Sequence, residues 1–250
     1  MNKVGTYEFL AEPFHCDFSG RLFMGHLGNH MLNAADFHST DRGFGMAYLM
    51  TIKRAWVLSR LAIEMEEMPT QYTRFNVETW VESAMRYFTN RNFRVVGTTA
   101  DGHEKVYGYG RSIWAMIDTE TRQPTDIYAI DNGAIDKWVV TDKLCPIAKS
   151  SRVKMSDAAE FVRTIDTHYN DVDINGHINS VKYVEHVLDL WPLSWYKNHQ
   201  LKRFEIAYVA EAHEGEQLSF YREQTSEQSY CIRIVRSDGT ETTRCMLTFV

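Results

Sequence analysis

A pattern of strand, tight turn and strand occurs twice in this chain and constrains its fold more than any other feature. FRVV at 93–96 precedes Asp-Gly at 101–102, and IRIV at 232–235 precedes Asp-Gly at 238–239. β-branched and aromatic residues favour strands, and Asp-Gly is typical of a hairpin turn. In each half, this hairpin belongs to a series of strand-like segments that includes one helix-like segment. The sequence of 250 residues therefore predicts two copies of one α+β unit.

Two local features of the sequence leave alternatives open. RFNVETW from residue 74 resembles RFEIAY from residue 203, but this match needs a different offset and cannot hold together with the hairpin match. The order of elements favours the hairpin match. The stretch AWVLSRLAIEMEEMP at 55–69 fits the period of a strand and that of a helix, so its structure stays undecided.

The stretch 171–191, DVDINGHINSVKYVEHVLDLW, is the best candidate for a functional site. Apolar residues at 181, 184, 188 and 191 predict an amphipathic helix, at whose start unpaired amides and the helix dipole would stabilise negative charge. Before it, Asp173 is a candidate base or nucleophile, His177 a proton carrier or donor, and Asn175 a ligand for water or a carbonyl. The alternative is an ordinary capped helix, since Asp and Asn are favoured at N-caps.

Composition limits the classes of function. A net charge of −6 argues against nucleic acid as the main partner. The N-terminus, MNKVGTYEFLAEPF, lacks the apolar run of a signal peptide, and the sequence has no stretch typical of a membrane span. Four scattered cysteines are typical of reduced thiols. We therefore expect a cytoplasmic protein.

A metal site is the alternative interpretation of His26 and His30, which share one helix face at i, i+4. The stretch between them has no acidic residue and no third ligand is evident, so packing in a core or pocket is favoured. We expect neither a metal nor a cofactor.

Further motifs match a known family. They are DVDINGHINSVKYVEHVLD at 171–189 and IAYVAEA at 206–212, with AWVLSRLAIEM, FNVETWV and RSIWAMIDTETRQP in the first half. With them the chain resembles the acyl-acyl carrier protein (acyl-ACP) thioesterases of bacteria and plant plastids. The resemblance implies two tandem hotdog domains, each an antiparallel sheet wrapped around a central helix. Residues 1–145 would form the acyl-chain pocket and a linker, and residues 146–250 the catalytic domain.

The same resemblance implies hydrolysis of fatty acyl-ACP thioesters in fatty acid biosynthesis. It assigns catalytic roles to Asp173, Asn175, His177 and Glu211. An older scheme for the family has a catalytic Cys directly after the acidic residue that corresponds to Glu211. Ala212 occupies that position here, so a thiol nucleophile is not expected. Either Asp173 attacks the thioester, or Asp173 and Glu211 activate a water. A hydratase or dehydratase of acyl thioesters and a non-catalytic acyl-thioester sensor are the alternative functions.

The implied partner is an acyl carrier protein, which is usually acidic. We therefore expect a local basic patch, although coenzyme A could replace the carrier. The preferred acyl chain is left open, and both a monomer and a homodimer fit the sequence. The candidates for the patch are Lys53, Arg54, Arg60, Lys182, Lys202 and Arg203.

Overall fold

The repeated sequence pattern corresponds to two units with the same order of elements. A computed structural model describes residues 2–150 and 153–250. Its two compact units are Met1–Lys149 and Ser150–Val250. In the first unit the sheet order is β1-β3-β4-β5-β2, with antiparallel neighbours. Its elements are β1 (Gly5–Leu10), α1 (Met24–Thr40), α2 (Met46–Thr51), β2 (Arg54–Met65), β3 (Arg74–Ala84), β4 (Phe88–Thr98) and β5 (Glu104–Asp118).

The second unit repeats this topology. Its sheet order is β6-β8-β9-β10-β7, again with antiparallel neighbours. The hairpin β9–β10 thus occupies the place of β4–β5, as the hairpin match predicts. The other similarity falls on β3 and β7, which are not equivalent strands. The elements are β6 (Glu160–Asp166), α3 (Ser180–Leu188), α4 (Leu193–Tyr196), β7 (Leu201–Tyr208), β8 (Gln217–Ser226), β9 (Ser229–Arg236) and β10 (Glu241–Phe249).

The undecided stretch at 55–69 forms strand β2. Its pairing with β5 shifts register between Leu58 and Arg60. A bulge of this kind moves the following side chains to the other face of the strand, so Leu58 and Leu61 are both buried. The bulge explains why the alternation of apolar residues along this stretch is imperfect.

The spacing of apolar residues at 27–37 predicts a helix, and α1 extends beyond this range at both ends, with no side-chain cap at Phe23. Gly25 and Gly28 weaken the helical signal of its first turns, although both are buried. Met31 packs over β5 at Gly110, where an added Cβ would lie 3.0 Å from the Met31 sulfur. The sequence at 7–23, with Pro13 and Gly20, is typical of an extended loop, but residues 5–10 form strand β1, which pairs with β3.

The apolar pattern thins at 118–157, which predicts a connecting segment that partly crosses the first half, and residues 127–147 of it pack onto the first unit. Ile127, Ile130 and Ile135 form one apolar cluster with Phe44 and Leu49. A second cluster joins residues 140, 145 and 147 to Trp80. The apolar side chains of this segment therefore complete the core of the first unit.

Helix α3 buries Val181, Val184 and Val187 and ends at Leu188. The helical spacing is confirmed, but the predicted extension to residue 191 is wrong, because Asp189 caps the helix. Trp191 lies beyond the cap and packs edge-on against Tyr230 and Phe249. In the described part of the chain, no helix combines the length and the apolar character that a bilayer span requires.

Candidate active site

The polar triplet lies in a closed turn that precedes helix α3. Oδ1 of Asp173 accepts hydrogen bonds from the amides of Asn175 at 2.8 Å and His177 at 3.3 Å. The Asp173 amide donates to the His177 carbonyl at 2.8 Å, and Gly176 adopts a φ of +80°. Such a φ favours glycine, and an Asp side chain that closes its own turn is a common device. The sequence DINGH therefore specifies this turn locally.

The amides closest to His177 are not free, which differs from the expectation that unpaired amides there would bind a carbonyl oxygen. The helix begins only at Ser180, and the His177 amide already donates to Asp173. The Ile178 amide donates to the Ala212 carbonyl at 2.8 Å, and the Asn179 amide donates to the Asp171 carbonyl at 2.7 Å. Because these backbone donors are used, the donors that residues 177–179 leave for a ligand are on side chains, such as the His177 imidazole.

The structure brings Glu211 to His177, 34 positions apart in the chain. Oε2 of Glu211 lies 3.4 Å from Nε2 of His177, which makes an ion pair when the imidazole is protonated. The side chains are 39% and 25% exposed, so a ligand from solvent can reach both. Asp173 retains Oδ2, which the Asn175 side-chain amide approaches at 3.4 Å. Glu211 and His177 thus meet one another, while Asp173 and Asn175 belong to the same turn as His177.

The buried carboxylate of Asp171 lies just before this turn and links it to helix α3. Oδ1 of Asp171 lies 2.8 Å from Nε2 of His186, and its Oδ2 accepts from the His168 amide at 2.8 Å. Burial acts to raise the pKa of Asp171, but the hydrogen bonds from His168 and His186 and the charges of His186 and Lys182 bring it below its ordinary value. The charged carboxylate therefore stabilises the folded state.

Asp171→Asn is expected to lower the free energy of unfolding by about 1–3 kcal/mol at pH 7. Since the folded-state pKa is lowered, the carboxylate stabilises the protein above its unfolded-state pKa and loses this effect as the pH falls through the folded-state value. The difference between variant and wild type should shrink below about pH 4. Urea unfolding between pH 3 and 7 measures it, with the exposed Asp157→Asn as the control. Equal stability of both proteins at pH 7 would contradict the prediction.

The first unit contains the same turn at 17–22, DFSGRL, in place of DINGHI at 173–178. Oδ1 of Asp17 accepts from the amides of Ser19 at 2.8 Å and Arg21 at 3.2 Å. The Asp17 amide donates to the Arg21 carbonyl at 2.8 Å, and Gly20 has a φ of +76°. Bridges Cys16–Leu22 and Val172–Ile178 close the two turns in the same way. The turn is therefore a shared part of the architecture.

What differs between the turns is the set of chemical groups. The positions of Asn175 and His177 hold Ser19 and Arg21 in the first unit. The Leu22 amide donates to the Pro69 carbonyl as Ile178 donates to Ala212, so the residue that corresponds to Glu211 is Met68. The position of the Asp171 carboxylate holds an imidazole, His15. The pair of His177 and Glu211 therefore has no equivalent at the corresponding positions of the first unit, Arg21 and Met68.

Sequence reasoning missed His213, which the structure places at this site. Its ring meets the His177 ring edge-on, with centroids 5.0 Å apart. The sequence similarity of the two turns was also missed, because the residues that carry chemistry differ. The shared Asp-x-x-Gly spacing at 17–20 and 173–176 is the signal that would have found it.

The cysteines and the histidines of α1 have surroundings that favour a structural role. All four cysteines are free, and burial raises the pKa of the Cys145 and Cys231 thiols, which disfavours the reactive thiolate. His26 stacks on His15, and His30 packs against the rings of Phe9 and Phe75. In residues 2–150 and 153–250, no group of three or more candidate ligands could hold a metal ion.

Comparisons with known sequences match both units to one family. Residues 3–129 match the acyl-ACP thioesterase N-terminal domain, and residues 154–249 match the C-terminal domain. A palmitoyl-acyl carrier protein thioesterase of Gossypium hirsutum is 27% identical over 74% of this chain and 46% of its own length. An oleoyl-acyl carrier protein thioesterase of Coriandrum sativum is 26% identical over 96% and 63%. The chain thus spans about half to two thirds of these curated relatives.

Solved structures agree with this assignment. An acyl-ACP thioesterase from Bacteroides thetaiotaomicron is 48% identical, with a TM-score of 0.91 over 100% of this chain and 98% of its own. A 12:0-ACP thioesterase from Umbellularia californica is 21% identical, with a TM-score of 0.86 over the same shares, and shows the fold alone. The predicted tandem hotdog fold is therefore confirmed. The chain belongs to the acyl-ACP thioesterase family.

Proposed function

We propose that the protein hydrolyses fatty acyl-ACP thioesters to a free fatty acid and the carrier thiol, as a step of fatty acid biosynthesis. The observation that carries this proposal is the approach of Glu211 to His177, 3.4 Å apart, beside the turn that holds Asp173 and Asn175. Two carboxylates, an imidazole and an amide are sufficient to activate water or form an acyl intermediate. The second domain would carry the chemistry and the first would form most of the acyl-chain pocket.

The chemistry has two possible routes for the carboxylates. In one, Oδ2 of Asp173 attacks the thioester carbonyl, the C–S bond breaks, and water then cleaves the mixed anhydride. In the other, Asp173 and Glu211 activate a water: one of the two carboxylates takes a proton from it, its oxygen attacks the carbonyl, and the C–S bond then breaks. In both, the side chains of His177 and Asn175 would polarise the carbonyl oxygen, because the turn amides are occupied. His177 would donate a ring proton to the departing thiolate and regain one from the water by way of Glu211, whose Oε2 lies 3.4 Å from Nε2 of His177.

The carrier protein is the proposed partner, but most of the predicted basic patch is paired within its own unit. Lys53 and Arg54 pair with Glu120 and Asp118, and Lys182 pairs with Glu185. Arg203 pairs with Glu205. Such pairing leaves less positive potential for an acidic carrier. The patch therefore stays a prediction, as do the cytoplasmic location and the choice between monomer and homodimer.

Purified protein should release thiol and free fatty acid from a long-chain acyl-ACP, and more slowly from the matching acyl-coenzyme A. The measurement follows thiol with a chromogenic disulfide reagent and the acid by mass spectrometry. A change in unsaturation of the acyl group without thiol release would indicate a hydratase or dehydratase. Binding without either change would indicate a sensor. Each of these two outcomes would contradict hydrolysis.

A further inference from the structure

We propose that His213 is a positioning residue for the reaction, a role that rests on the proposed hydrolysis at the same site. Its Nδ1 lies 3.2 Å from the Gly176 carbonyl oxygen. Because a carbonyl oxygen only accepts hydrogen bonds, Nδ1 carries the proton and is the donor. The ring also lies edge-on against that of His177, at a centroid distance of 5.0 Å and an interplanar angle of 66°. His213 therefore contacts the turn and the imidazole that it carries.

The contact acts on one peptide unit. The carbonyl of Gly176 and the amide of His177 belong to the same planar peptide bond. His213 donates to the carbonyl, and Oδ1 of Asp173 accepts from the amide. Side chains thus hold both ends of the peptide that leads into His177. Without His213, this peptide is held from one end only, next to a glycine whose added Cβ would meet nothing within 4 Å.

Hydrogen bonds on both sides fix the backbone of His213, which restricts the position of its side chain. Its amide donates to Oε2 of Glu216 at 2.8 Å, and its carbonyl accepts from the Thr167 hydroxyl at 2.7 Å. Thr167 is fully buried. The imidazole is exposed, and its removal should therefore cost little of the folding free energy.

The first unit provides an internal comparison. Gly20, which corresponds to Gly176, also has its carbonyl held, but by the backbone amide of Gln71 at 2.8 Å. The position that corresponds to His213 is Thr70 there. Both turns thus have a donor on the glycine carbonyl, which indicates that this bond is a shared feature of the turn. In the second unit an imidazole replaces the backbone donor and contacts His177 at the same time.

Three variants of His213 separate the hydrogen bond from the ring contact. Asn places its Nδ2 where His has Nδ1 and keeps a donor, Phe keeps a ring without a donor, and Ala keeps neither. His213→Ala and His213→Phe are expected to lower kcat about 10-fold, within the cost of slight misplacement of a catalytic group. His213→Asn should remain within about threefold of wild type. KM should change less than about twofold in all three, since His213 is assigned no substrate contact.

The measurements are kcat and KM for a long-chain acyl-ACP, with urea unfolding to verify that each variant is folded. The exposed neighbour variant Glu214→Gln is the control and should match wild type. Wild-type kcat in His213→Ala, or no recovery in His213→Asn, would overturn the positioning role. Absence of thiol release by the wild-type protein would instead reject the proposed function itself.

Discussion

Glu211→Gln is expected to lower kcat for acyl-ACP hydrolysis by about 10²- to 10⁴-fold, the range for loss of a general base. Gln has nearly the same shape and can still accept a hydrogen bond from His177, which lies 3.4 Å away. What the variant loses is the carboxylate that would accept a proton from water. The side chain is 39% exposed, so the free energy of unfolding should change by less than about 1 kcal/mol.

The control for this prediction lies in the same loop. Glu214 is exposed three positions later, and Glu214→Gln removes the same charge at a residue that has no assigned role. The measurement is the steady-state kcat of both variants and of wild type, all at the same ionic strength. If Glu211→Gln retains more than about a tenth of the wild-type kcat, a role for Glu211 as general base is rejected.

Most of the fold could be predicted from the sequence because the strand and hairpin signals are local. The Asp-Gly turns at 101–102 and 238–239 both connect paired strands, as predicted. β1 was missed because its structure depends on its partner β3, a contact that no local pattern reports. The bulge at residues 58–60 of β2, which interrupts the alternation of apolar residues, likewise depends on pairing with a distant strand, β5. Contacts between distant segments thus limit the prediction.

The sequence and the family resemblance name the residues of the proposed site, but they do not give its geometry. The motif indicates Asp173 and His177 together, and only the resemblance indicated Glu211. The sequence suggested that the helix start would supply free amides, whereas Asp173 occupies the His177 amide. The role of His213 depends on the approach of two loops, 37 positions apart at His213 and Gly176, and no pattern in the sequence reports it.

Asp173→Asn is expected to lower kcat by about 10²-fold or more while the protein stays folded. Asp173 uses Oδ1 to accept from the amides of Asn175 and His177, and the Asn side chain retains an oxygen for both bonds. The variant therefore keeps the turn but loses the negative charge and the nucleophilic oxygen. Both routes proposed for the thioester require that charge, so both predict the loss.

Asp17→Asn provides the matched control, since Oδ1 of Asp17 accepts the same two amide bonds in the first unit's turn. That turn has Arg21 in place of the imidazole, so this variant should keep the wild-type kcat. The experiment compares kcat and urea unfolding for the two variants and wild type. Equal kcat in Asp173→Asn and wild type would show that Asp173 only closes its turn. Equal losses of kcat in both variants would show that the turns act through structure, because the first turn has no imidazole and carboxylate pair to lose.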